Sequence, residues 1–171
     1  MLPLILFFLL LIIFSIQTAF LKVFSFGGVT PDLILILAVY CAINFKESSS
    51  VGMGCALGLV QDCLSGGLLG VNTLSKGLIG FFFSVLKNKI EVDSLLPICF
   101  FLWLASLFDV FVFYVVWNLL LKDESSGGHL IPNFLIYAGY NALIGPFLFF
   151  IFNQGRKVLS RKFPNQVFRP L

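Results

Sequence analysis

The chain has 171 residues, 59% of them apolar and only 11% charged, with 22 phenylalanines and a net charge of +3. A soluble domain carries about 25% charged residues, so too little polar surface remains here to cover a soluble protein. Composition excludes a soluble enzyme, a disordered chain and a free nucleic-acid binder, and leaves the bilayer as the compatible solvent.

The elements follow in chain order. A membrane helix needs ~20 apolar residues, and six spans fit, at about 2–21, 31–45, 48–64, 70–86, 95–121 and 131–153. The whole chain, 1–171, then reads as one integral membrane domain and an all-α polytopic bundle, with a basic cytoplasmic tail over 154–171. The first run, Leu2 to Leu21, is uncharged. It lacks the basic n-region of a signal peptide, so it reads as a spanning helix. Gly27-Gly28 breaks the following loop. Pro31 suits the first turn of the second helix, and Asp32 sits beside its positive N-terminal end. Lys46, Glu47 and three serines mark the next turn. The third and fourth spans are short and flank a Ser65-Gly66-Gly67 turn. The fifth is long and interrupted by Asp109, and the sixth opens with a proline.

Basic residues fix the expected orientation. With both termini cytoplasmic, Lys46, Lys87, Lys89 and five tail residues, Arg156, Lys157, Arg161, Lys162 and Arg169, lie inside. Lys22 and Lys122 lie outside. The four cysteines, Cys41, Cys55, Cys63 and Cys99, fall in apolar stretches without a C-x-x-C pair, and the chain has one histidine. Neither a metal site, another cofactor nor a disulfide is expected.

Three charges fall where lipid should be: Asp62, Lys76 and Asp109. Each costs at least ~2.5 kcal/mol at a helix centre on insertion scales, so such residues face a bundle interior and pair. A structural Asp62–Lys76 pair is expected, in preference to a transport path, and Asp109 has no evident partner except Lys76. Glycines are dense from Gly52 to Gly80. Gly54 and Gly58 share one helical face, which admits a close backbone neighbour. Catalysis is excluded by elimination. His129 lies in a polar loop, and Ser75 and Lys76 are adjacent and expected on different helix faces. The chain reads as a non-enzyme.

Two stretches carry a resemblance. Pro31-Asp32-Leu33-Ile34-Leu35 and the run from Gly58 to Asn72 are similar to the bacterial rod shape-determining MreD family. Gly58, Asp62, Ser65, Gly66, Leu69, Gly70 and Asn72 fill its pattern Gly-Leu-x-x-Asp-x-x-Ser-Gly-x-x-Leu-Gly-x-Asn. The resemblance implies a multi-pass subunit of the bacterial inner membrane within the cell-elongation machinery. It would be a scaffold that binds MreC and works with MreB and the RodA/penicillin-binding synthase pair in lateral peptidoglycan synthesis. It also implies a six-helix fold similar to the substrate-binding subunits of energy-coupling-factor transporters. Hence the alternative, a vitamin-binding transporter subunit, which would need an enclosed polar pocket. Membrane lipids are expected neighbours, nucleic acid is not, and homodimerisation is left open.

Overall fold

The computed structural model describes residues 12–15, 17, 29–45, 47–66, 68–86, 94–121 and 131–162. Their regular elements are helices: α1 (Leu33–Asn44), α2 (Glu47–Ser65), α3 (Val71–Leu86), α4 (Leu95–Leu121) and α5 (Ile131–Lys162). Residues 12–15 of the first expected span are helical as well. Apart from Gln17, the rest of that span, the loops around Lys22, Lys87 and His129, and residues 163–171 lie outside the described residues.

Helix α1 is the axis of the bundle. Its run Leu-Ile-Leu-Ile-Leu-Ala-Val-Tyr-Cys-Ala is apolar on all sides, and the helix packs against each of the other four. Nine of its twelve residues are buried, as expected for a helix that is hydrophobic all round. Leu35, Ile36, Val39 and Tyr40 join Ile79, Phe83, Phe101, Leu102 and Phe149 in the main core.

The ends of the elements refine the sequence reading. Asp32 is the N-cap of α1, its carboxylate accepting from the backbone N–H of Ile34 and Leu35. Pro31 therefore precedes the cap instead of occupying the first turn. Ser48, Ser49 and Ser50 are already helical, in the first turn of α2. At the other end of the chain, α5 does not stop at Asn153 but continues to Lys162. Its apolar pattern ends at Asn153. The segment there, Asn153-Gln154-Gly155-Arg156-Lys157, contains two weak helix formers, Asn153 and Gly155, among three good ones, and the helix runs through them. Two contacts fasten this extension to α1. The Tyr40 hydroxyl donates to Asn153 Oδ1 at 3.0 Å, and Arg156 donates to Asn44 Oδ1 at 2.7 Å.

Helices α2 and α3 form the tightest pair. Gly54 faces the Lys76 carbonyl and Gly58 faces the Asn72 carbonyl, so closely that a Cβ at either position would overlap that backbone. Gly80 meets the Ser50 carbonyl in the same way. The glycine-dense region is therefore the seam of one hairpin. Gly52 is not part of it: a Cβ there would meet open space.

The distribution of polarity is inverted relative to a soluble domain. Buried positions include Asp32, Gln61, Asp62, Asn72, Lys76, Asp109 and Asn141, whereas Phe100, Phe111, Leu119, Leu135, Leu143 and Phe147 are exposed. Polar groups inside and large apolar groups outside suit hydrocarbon as the surrounding solvent. Leu95–Leu119 and Phe134–Lys157 are long and apolar enough to cross a membrane.

Candidate functional site

Two features share the α2–α3 region: a buried polar network and an apolar groove on the hairpin's outer face.

Lys76, in the second turn of α3, is fully buried. Its ammonium pairs with Asp109 Oδ1 of α4 at 3.0 Å and with Asp32 Oδ2 at 3.2 Å. It also donates to Asn72 Oδ1, one turn earlier, at 2.8 Å. Three acceptors thus take the three donors of an ammonium group. The expected Asp62–Lys76 pair does not form. The partner of Asp62 is instead the N-terminus of α3.

Asp62 gathers five hydrogen bonds. Its Oδ1 accepts from the Asn72 backbone N–H and Nδ2, both at 3.0 Å. Its Oδ2 accepts from Gly70 N–H at 2.9 Å, Thr73 N–H at 2.9 Å and Thr73 Oγ1 at 2.7 Å. The three backbone N–H groups are donors that a helix start leaves without intrahelical partners, and the carboxylate also opposes the positive end of the helix. Gly66 and Gly70 adopt φ of 65° and 98°, left-handed values that let the turn after Ser65 bring the α3 N-terminus onto Asp62. The spacing from Gly58 to Asn72 is accordingly that of a side-chain-capped helical hairpin. Asn72 links this cap to the ion pairs, since its amide donates to Asp62 while its oxygen receives Lys76.

Asp109 is held from two other helices, α3 and α5. Ser75 Oγ and Lys76 Nζ both donate to Oδ1, and the Tyr137 hydroxyl of α5 donates to Oδ2 at 3.1 Å. Ser75 and Lys76 therefore converge on one oxygen, contrary to the expectation that neighbours point apart. The long lysine stem bends back across the ~100° between successive positions. Asp32 is held as fully. Gln17 and Gln61 donate to it through their amides, each at 3.1 Å, and its own N–H donates to Asn141 Oδ1 at 2.9 Å. Asn141 donates onward to Ser106 Oγ at 2.9 Å.

Sequence reasoning named Asp32, Asp62, Asn72, Lys76 and Asp109 but missed Gln17, Gln61, Ser106, Tyr137 and Asn141. The signal was present, because uncharged amides inside apolar runs obey the same pairing logic as charges. Gly66 and Gly70 shape the turn, and Gly70 also donates its backbone N–H to Asp62, while Pro31 precedes the α1 cap and Ser65 ends α2.

The groove, about 600 Å³, is open along the outer face of the hairpin. Cys55 and Gly77 form part of its lining, together with Leu59, Leu69, Leu74 and Phe81. Gly77 lies directly against Cys55 Sγ. The lining is almost wholly apolar, and the Lys76 network lies behind it in the bundle.

The chain belongs to the family of the rod shape-determining protein MreD, whose family model matches residues 1–158. No curated protein and no solved structure matches it. Family membership, with two membrane-length apolar helices, makes this a membrane protein of the bacterial rod-shape system.

Proposed function

Taking that family as premise, we propose that the protein is a non-enzymatic membrane scaffold that holds the single-span protein MreC in its α2–α3 groove. Through MreC it connects with MreB and the RodA/penicillin-binding synthase pair and helps organise lateral peptidoglycan synthesis. It sits multi-pass in the cytoplasmic membrane with both termini cytoplasmic, in a six-span arrangement similar to transporter substrate-binding subunits.

The observation that carries this reading is the groove: almost wholly apolar, open to the side, and floored by a hairpin whose helices meet at backbone contact along a glycine seam. A transmembrane helix associates by close van der Waals packing against small residues, which Gly77 and Cys55 provide. The network behind the groove supplies rigidity: Lys76 joins α3 to α1 and α4, and Tyr137 and Asn141 bring in α5. A vitamin-binding subunit calls for an enclosed polar pocket. Asn72 and Lys76 are instead spent on internal partners, which favours the scaffold.

The test is co-purification with MreC from native membranes. Leu59→Trp and Leu74→Trp fill the groove from exposed positions, so each should accumulate normally yet lose MreC and rod shape. Retention of the partner by both variants would move the docking surface elsewhere.

A further inference from the structure

The helices differ greatly in length around the bundle. Helix α4 has 27 residues, about 40 Å at 1.5 Å per residue, and α5 has 32, about 48 Å. Helix α2 has 19 residues, about 28 Å, and α3 has 16, about 24 Å. The lipid-accessible apolar band of the hairpin is shorter still. On α2 the stretch Val51–Leu64, apolar apart from the buried Gln61 and Asp62, rises about 20 Å. It is bounded by exposed Ser48 and Ser49 at one end and by Ser65 and Gly66 at the other. On α3 the exposed apolar residues run from Leu74 to Val85, about 17 Å, with Leu69 exposed in the turn before the helix. On α4 they run from Leu95 to Leu119, about 36 Å. A bilayer core is ~30 Å thick.

A long helix absorbs such a mismatch by tilting. A short one cannot, and the bilayer thins around it or another surface covers it. The hairpin has no freedom to lengthen its band. Its glycine seam fixes the two helices at backbone contact, and Asp62 fixes the turn.

We infer that the α2–α3 face is a recognition surface for thin bilayer: when no protein partner covers it, it gathers short-chain lipids, while the α4 face does not. The inference rests on the multi-pass reading above and deepens it. A docked helix replaces the strained lipid along the groove, so relief of thinning adds to the drive for docking.

The full chain reconstituted alone, in vesicles with equal amounts of short-chain and long-chain phosphatidylcholine, tests this. Only one of the two lipids is brominated in each preparation, so fluorescence quenching reports which chain lies beside a tryptophan. Trp103 and Trp117 sit exposed on α4 and report the tall face. Phe81→Trp, with Trp103→Phe and Trp117→Phe, reports the hairpin, and Leu59→Trp in the same background is a second reporter. Short chains should be enriched roughly threefold beside either hairpin reporter and not beside α4. Equal quenching by the two lipids at the hairpin, or the same preference on both faces, overturns the inference. Absence of quenching by either lipid at the hairpin overturns the multi-pass reading with it.

Discussion

Lys76 and Asp32 meet at 3.2 Å, so the ammonium of α3 rests on the very carboxylate that caps α1. One residue thereby starts a helix and neutralises a buried cation. With Asp109 on the other side at 3.0 Å, Lys76 is the only cation between two carboxylates among the described residues of this cluster.

Removing the cation should therefore hurt more than removing either anion. Lys76→Leu leaves two buried carboxylates facing each other, and breaking a buried pair from one side costs about 3–5 kcal/mol. Asp109→Asn keeps Lys76 on Asp32 and leaves an acceptor for Ser75, so it should cost less. Adding Asp109→Asn to Lys76→Leu should restore part of the loss. Unfolding in mixed detergent micelles measures all three, and a double variant no more stable than Lys76→Leu would contradict the charge-balance account.

Asp62 shares only Asn72 with the lysine, and its other partners are separate. Asp62→Leu strips acceptors from Gly70, Asn72 and Thr73 at once and should cost at least as much as losing a strong N-cap, about 2 kcal/mol. Asp62→Asn keeps one acceptor oxygen and should cost less. Because Asp62 and Lys76 do not touch, Asp62→Leu with Lys76→Leu should be no better than the worse single change. Rescue in the double variant, read as recovered accumulation, would mean that the two charges do pair.

The hairpin seam makes a sharp steric contrast. Gly58→Ala and Gly54→Ala each drive a methyl group into α3 backbone, and overpacking of this kind costs about 1–3 kcal/mol. Gly52→Ala, which meets open space, should be neutral or slightly stabilising through helix propensity. Thermal inactivation of the three purified variants orders them, and equal behaviour would remove the seam from the account.

Orientation is accessible to labelling. In a cysteine-free background, Ser126→Cys should react with a membrane-impermeant thiol reagent in cells whose outer layer is permeable, and Ser160→Cys should not. The uneven distribution of Lys and Arg sets this outcome, and the opposite pattern would invert the topology.

Much of the architecture was legible from apolar run lengths. The bounds of α4 agree with the expected fifth span, and those of α2 and α3 differ from the third and fourth by a residue or so. The extension of α5 was not legible, because the apolar pattern stops at Asn153 and Gly155 reads as a breaker, although Gln154, Arg156 and Lys157 are good helix formers. What holds it to α1 is tertiary: Asn44 meets Arg156, and Tyr40 meets Asn153. The buried charges were identified as a group but joined wrongly. Asp62 is closer to Lys76 in sequence than Asp109 is, yet α3 turns its lysine away from the α2 cap and toward the crossing with α4. Helix rotation of that kind depends on which residues meet across three helices, and local pattern does not encode it.

The two carboxylates around Lys76 are made at different times. Asp32 leaves the ribosome before the lysine, and Asp109 after it. A chain that has reached Leu86 contains the residues of the α1 cap, the glycine seam, the Asp62 turn and the Lys76–Asp32 ion pair. The lysine is thus made after one of its counter-charges, and the second, Asp109, follows with α4.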